Sequence, residues 1–342
     1  MKTVYTLSGG AAYGYAHIGV LKYLEEYNIR PAAIAGTSMG AIVGGFYAYG
    51  YDAEHIREIA EHIRSLELVR LFFPSFPRGG IIDTDGIRDF MYGFIQDARI
   101  EDLPVVFRSV AVDINTSEEI VFDRGRLIDA IMASMSIPAV FKPYYYRGRY
   151  LVDGGLLNNL PWDIAQTMGD VNIVIDVAPK VKRPDPVRIC TSEIIQADSG
   201  SDPAKGAGVP SAVRHENRLK NEAFRIQLKK LIQAIQNKED TVSMRDLVNS
   251  FTKSSGNRKE SQSIPEIITL VMAIVDEYIR RPPERTPIKT IYLHVDLMGY
   301  SLNDFHKADE IINAGYRTAA ENTAFINALR SIKNPAGRSR IV

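Results

Sequence analysis

A mostly parallel β-sheet covered by helices on both faces is the fold class this sequence predicts, and three observations predict it. Runs that read as strands alternate with stretches that read as helices from Thr3 onward. These runs are short and apolar, as strands buried on both faces are. Two of them end in small-residue turns that lead straight into a helix, Gly9-Gly10-Ala11-Ala12 and Gly36-Thr37-Ser38-Met39-Gly40.

Taken in order, Thr3 to Ser8 reads as the first strand. The helix behind it carries Ala16, Val20 and Leu24 at a spacing of four, joined by Leu21. Ala32 to Ala35, behind Pro31, reads as a second buried strand running into a second helix. Pro104 to Asp113 and Val171 to Val177 read as further strands, with Glu119 to Phe122 as a hairpin partner and Leu127 to Ser134 as a helix. Tyr144 to Val152, broken at Arg147-Gly148, reads as a hairpin that delivers Asp153. Ile288 to Leu297 is a late strand. Asn303 to Leu329 holds at least one long helix, with Ile311, Ile312, Tyr316 and Ala319 on one stripe.

Between residues 181 and 262 the strand signals vanish, and Lys plus Arg number 15 against 10 Asp plus Glu. Residues 197–210 are rich in Gly, Ser, Pro and Asp, the composition of a long loop. Leu219 to Gln236 is an amphipathic helix, with Phe224, Leu228, Leu231, Ile232 and Ile235 on one face. The expected organisation is one α/β domain over residues 1–342, with 181–262 as a polar, partly helical insertion.

Globally, 41 Lys plus Arg balance 41 Asp plus Glu, so no net field draws the chain to nucleic acid, and no nucleic-acid partner is expected. The single cysteine, Cys190, excludes an internal disulfide and fits a reducing compartment. The N-terminal MKTVYTLSGG is too short in apolar residues for a signal peptide, and no apolar run reaches the roughly 20 residues of a spanning helix. The expected location is cytoplasmic, with a peripheral membrane contact and a homo-oligomer both left open.

The chemistry centres on Gly36-Thr37-Ser38-Met39-Gly40, a G-x-S-x-G pattern between an apolar strand and an Ala/Gly-rich helix. That is the strand–turn–helix context in which the serine is held out on a tight, strained turn, and Gly36 and Gly40 leave room for it. A serine hydroxyl needs a base. Local sequence leaves two sources open. One is a histidine near the C-terminus, His294 or His306, as in an ordinary Ser-His-Asp hydrolase. His294 lies inside an apolar strand pattern and His306 in a helix start, neither a natural catalytic loop. The other is Asp153, at a strand end and followed by Gly154 and Gly155, which admit close backbone approach. Donors for an oxyanion are offered by the N–H groups of Gly9, Gly10, Ala11 and Ala12 at a helix start. The same loop lacks GxGxxG spacing, and no Gly-Lys-Ser/Thr follows, which argues against nucleotide binding. His17, His55 and His62 have no metal-ligand spacing, so no metal and no cofactor are expected.

Three segments together resemble patatin-like phospholipases. SGGAAYGYAHIGVL is similar to their glycine-rich oxyanion segment, GTSMG to their nucleophile elbow, and VDGGLLNNLP to their catalytic Asp-Gly segment, in that order along the chain. The resemblance is good over residues 3–180 and looser beyond. It implies a three-layer α/β/α fold and a serine acyl hydrolase of the phospholipase A or esterase type. It further implies a Ser38–Asp153 dyad, an acyl-enzyme and an acyl-lipid substrate. Asp153, rather than His294, becomes the expected base. Two features depart from the pattern: Ala11 stands where the family carries a third glycine, and Tyr13 where it carries Arg or Lys. That motivates an alternative reading, a degenerate lipid-binding or scaffold protein.

Among the remaining features, Leu71-Phe72-Phe73-Pro74-Ser75-Phe76-Pro77 is unusually apolar for a loop, suited to core packing, an acyl-pocket wall or an interfacial wedge. The Leu219–Gln236 helix suits packing on its own domain, a lid, a membrane surface or a dimer contact. Tyr144-Tyr145-Tyr146 is expected to pack and pair across its hairpin, and Asp113 to cap a strand end.

Overall fold

The computed structural model describes residues 1–65, 84–138, 140–179 and 286–333. The 181–262 insertion, its 219–236 helix and the apolar Leu71–Pro77 stretch lie outside the described residues.

Eight strands form one sheet: β1 (Thr3–Leu7), β2 (Ala33–Thr37), β3 (Val106–Asp113), β4 (Glu118–Phe122), β5 (Tyr144–Tyr146), β6 (Arg149–Asp153), β7 (Val171–Asp176) and β8 (Lys289–His294). Their order is β5-β6-β3-β2-β1-β7-β8, with β4 also on β3. β3, β2, β1, β7 and β8 run parallel, while β4, β5 and β6 are antiparallel additions. β1 and β2 are buried along their whole length, which is why the sequence shows apolar runs there rather than alternation.

Helices cover both faces. On one lie α1 (Tyr15–Glu26), α2 (Met39–Tyr49) and α5 (Leu127–Ser134). A Cβ at Gly44 of α2 would meet Ile34, Leu7 and Phe107, so α2 lies directly on the inner strands. On the other face α6 (Trp162–Ala165) seats Ala165 and Ile164 against Val4, Ala33 and Ala35. The architecture is three-layer α/β/α. Alternate residues of β1 and β2 serve opposite layers, as the period of two requires. Helices α3 (Ala53–Ser65) and α4 (Asp85–Ile95) extend the first layer.

The C-terminal part is tied to the first helix. Helix α7 (Ala308–Glu321) crosses α1 so closely that a Cβ at Gly19 would stand 1.9 Å from the Ile312 carbonyl oxygen, and one at Gly315 2.1 Å from that of Ala16. The expected C-terminal helical stretch, at least one long helix, is two helices in succession. It breaks at Asn322, whose Oδ1 accepts the Phe325 N–H at 2.9 Å and starts α8 (Thr323–Lys333).

Candidate active site

The register of β3 explains how residues far apart in sequence meet. β2 pairs with β3 from Val106 to Val110, and β4 pairs with it from Ser109 to Asp113, so these two take opposite edges. β6 pairs with β3 from Ala111 to Asp113 and must therefore share the β2 edge. The two strands abut there end to end, with Thr37 opposite Val110 and Asp153 opposite Ala111. Ser38 follows Thr37 directly, and the end of β6 delivers Asp153 to it.

Ser38 sits at φ 53°, ψ −123°, a left-handed conformation rare for a residue with a side chain. The strain is held from several sides. Ser38 N–H donates to Ser134 Oγ at 2.9 Å, and Thr37 Oγ1 donates to the Asn158 carbonyl at 2.7 Å. Gly36 and Gly40 cross one another, and a Cβ at Gly40 would lie 2.3 Å from the Leu7 carbonyl oxygen. Neither position admits a side chain.

Asp153 is completely buried. Its Oδ1 accepts the Gly155 N–H at 2.7 Å, while Oδ2 has no donor in good hydrogen-bond geometry. The side chain facing the carboxyl is that of Ser38. Burial pushes Asp153 up to about 7, with the Ser38 side chain and the Gly155 N–H pulling in the opposite direction. Catalytic hydrogen bonds without substrate are commonly long and tighten on binding. Gly154 has to be glycine, because a Cβ would stand 2.3 Å from the Val110 carbonyl oxygen.

The Gly9–Ala12 loop lies against the elbow: a Cβ at Gly9 would come within 3.1 Å of Ser38 Cβ. Its N–H groups are not equivalent. Gly9 N–H donates to the Asn159 carbonyl at 2.9 Å and Ala12 N–H to the Leu302 carbonyl at 3.1 Å. Both were expected among the oxyanion donors, and both are engaged with main-chain carbonyls here. Gly10 and Ala11 keep N–H groups with no acceptor among the described residues, as does Met39 at the N-terminus of α2. Sequence reasoning missed Met39, although the residue after an elbow nucleophile is a standard donor position. It missed the supporting contacts of Ser134, Asn159 and Leu302 as well.

The loop is anchored beneath and behind. Ser8 Oγ accepts the Val177 N–H at 2.9 Å, and the Ser8 carbonyl accepts the His17 Nε2–H at 2.8 Å. Burial lowers His17 to about 4, so it is a neutral structural donor and not a ligand. Tyr13, standing where the resemblance expects a cation, sends its hydroxyl to the Tyr300 carbonyl at 2.6 Å. Ala11 adopts φ 46°, the backbone conformation that glycine takes most cheaply.

An apolar cleft is lined by Met39, Ile42, Val43 and Phe46 of α2. Ile59 and Met91 contribute from α3 and α4, and Phe305 from the C-terminal part.

The other candidates separate from this site. His294 ends β8, three strands from β2, which at about 4.8 Å per strand is roughly 14 Å away. Its Nδ1 lies 3.5 Å from Asp176 Oδ2. The Ser-His alternative through His294 therefore lacks its geometry. His306 sits in a short 3-10 turn, Phe305–Lys307. Asp113 caps the β3–β4 turn by accepting the Asn115 N–H, and pairs with Arg149 at 2.8 Å. His55 pairs with Asp52, and His62 contacts its own helix at the Glu58 carbonyl.

Residues 5–165 match the family model described as patatin-like phospholipase. These residues form a patatin-like phospholipase domain. An uncharacterised NTE family protein of Mycobacterium tuberculosis is 39% identical over 175 residues, covering 50% of this chain and 48% of that protein. Patatin-like phospholipase domain-containing protein 6 of Mus musculus is 35% identical over 178 residues, which is 50% of this chain and 13% of that protein. The matches thus span less than half of these relatives' own lengths. VipD from Legionella pneumophila superposes with a TM-score of 0.46 at 13% identity, over 96% of this chain and 67% of that chain. The segment that engages Ala12 and Tyr13, around Tyr300 and Leu302, lies outside the patatin-like match. No described helix is long and apolar enough to cross a membrane.

Proposed function

We propose that the patatin-like domain hydrolyses carboxylic esters of acyl lipids, with Ser38 as nucleophile and Asp153 as base. The observation that carries the reading is the meeting of β2 and β6 on one edge of β3, which sets a buried carboxyl against a serine on a strained elbow. A base with a pKa near 7 is matched to work at neutral pH. Asp153 takes the hydroxyl proton as Ser38 Oγ attacks the ester carbonyl. The carbonyl oxygen becomes an oxyanion facing the N–H groups of Gly10, Ala11 and Met39. Collapse expels the alcohol, which takes the proton from Asp153, and leaves an acyl-enzyme. Water, deprotonated by Asp153, releases the fatty acid and restores Ser38. The apolar cleft beside Met39 accepts the acyl chain.

Hydrolysis of p-nitrophenyl esters of increasing chain length tests this, with Ser38→Ala and Asp153→Asn alongside. Turnover by wild type and loss of at least about a thousandfold in both folded variants is expected. A folded wild type that is inert on every chain length would overturn the reading in favour of a non-catalytic lipid-binding protein, the alternative that Ala11 and Tyr13 motivate.

A further inference from the structure

We propose that the β5–β6 hairpin is a docking element for an anionic lipid surface, which it meets with the catalytic edge of the sheet turned toward the lipid. This rests on the lipid-ester reading above and adds the place of contact.

Position comes first. Asp153 and Leu151 are paired to β3, and Leu151 lies opposite the last residue of that strand, Asp113. Tyr150 and Arg149 run on past the last residue of β3, with the Tyr150 carbonyl accepting the Ile114 N–H at 3.0 Å. At about 3.3 Å per residue, Tyr150 stands roughly 10 Å and the Arg147-Gly148 turn roughly 16–20 Å beyond Asp153. The direction is that in which β2 ends at Ser38, so the hairpin overhangs the edge where the site opens. Arg147 at φ 46° and Gly148 at φ 83° form the tight two-residue turn that keeps it straight.

The hairpin has two unlike faces. Its inner face is fixed to the body of the protein. Tyr144 donates to Asp129 at 2.6 Å, Tyr146 packs edge-on against Phe122, and Arg149 pairs with Asp113 and Glu118. On the outer face Tyr145 and Tyr150 are cross-strand partners with ring centroids 5.2 Å apart, and they remain 62% and 50% exposed. Strand alternation puts Tyr150 on the face opposite Leu151 and Asp153, so this ring pair does not line the catalytic site. A rigid mount carrying two adjacent exposed aromatic rings is a contact patch of the kind that marks interaction sites.

The chemistry selects the cover. The hairpin strands and their turn, residues 144–150, carry no acid, and while Arg149 is held by Asp113 and Glu118 on the inner face, Arg147 stands at the turn. Arg147 lies over the Tyr146 ring at 5.2 Å and has no carboxylate partner among the described residues. Tyrosine rings with one apolar body and one polar tip suit the headgroup level of a bilayer, and arginine suits its phosphates. A second copy of this chain fits less well, because a two-fold contact here would bring Arg147 against Arg147.

Vesicle sedimentation tests the proposal with the Ser38→Ala protein, which leaves the lipid intact. It is run on phosphatidylcholine vesicles with and without phosphatidylglycerol. Binding to the anionic vesicles is expected, with partitioning reduced about tenfold when Tyr145→Ser and Tyr150→Ser are added. Arg147→Gln should lower the anionic preference. With Ser38 restored, the double tyrosine variant should keep wild-type kcat/KM on a soluble short-chain p-nitrophenyl ester while losing hydrolysis of vesicle lipid. Partitioning unchanged by the tyrosine pair would overturn the proposal. So would a dimer in gel filtration that those substitutions abolish while vesicle binding persists. A wild type inert on the soluble ester would instead overturn the catalytic reading, because sedimentation is measured without turnover.

Discussion

Thr37 and Asp153 stand on consecutive rungs of one edge of β3, facing Val110 and Ala111. Two strands running in opposite directions thus finish at the same point, and the residues at their ends are forced together by backbone pairing alone. Buried main-chain hydrogen bonds fix the spacing of Ser38 and Asp153.

The pH dependence of the reaction follows from the burial of Asp153. In the proposed role of base, Asp153 works only when ionised, and its pKa is raised to about 7. The expected profile of kcat/KM climbs about tenfold per pH unit below 7 and levels off above it, with a single ionisation. A plateau already reached at pH 5 would show that burial does not control the base.

The same shift makes a stability statement. An acid whose pKa is higher folded than unfolded binds more protons in the native state between the two values. Its contribution is full below about 4, the unfolded value, and is lost as pH rises through 7. The differential is at most about 4 kcal/mol for a shift of this size. Asp153→Asn keeps the shape and removes the charge, so its melting temperature should exceed wild type at pH 8 and converge with it near pH 4. Thermal melts of both proteins at the two pH values measure this. Equal melting temperatures at pH 8 would refute it.

Two small-residue positions should respond in opposite directions. Ala11 holds φ 46°, which costs a residue with a side chain about 1 kcal/mol, so Ala11→Gly should leave stability level or raise it slightly, against the entropy that glycine adds to the unfolded chain. Gly154→Ala puts a methyl group 2.3 Å from the Val110 carbonyl oxygen, where backbone has to move. A loss of about 1–3 kcal/mol is expected there, together with ester hydrolysis, since Asp153 moves with its neighbour. Denaturant unfolding beside the ester assay reads both.

Most of the framework was legible because it is written in local periodicity. β1, β2, β3 and β7 are short apolar runs, α5 has the bounds the sequence predicts, and the Arg147-Gly148 break marks the hairpin. The site was legible as far as residue types show it: a serine between glycines and an aspartate before glycines. What local pattern does not encode is which N–H groups of the Gly9–Ala12 loop have no acceptor among the described residues. That depends on Asn159 and Leu302, which reach the loop only through tertiary folding. The break at Asn322 is a local signal, a capping residue, hidden inside a stripe that continues across it.

Tyr13 offers the sharpest test of how the C-terminal part supports the loop. Its hydroxyl donates to the Tyr300 carbonyl at 2.6 Å, two residues before the carbonyl that holds Ala12 N–H. Burial raises the pKa of Tyr13, so the phenol remains a donor throughout the working range. Tyr13→Phe keeps the ring and its packing and removes one hydrogen bond, worth about 1 kcal/mol. Because Ala11 is held between Gly10 and this anchored pair, slack in the anchor loosens the proposed oxyanion donors more than it alters the apolar cleft along α2. Steady-state kinetics on a medium-chain ester should therefore show kcat reduced severalfold with KM little changed. A rise in KM at constant kcat would assign Tyr13 to substrate binding, and wild-type values for both would leave it a packing residue.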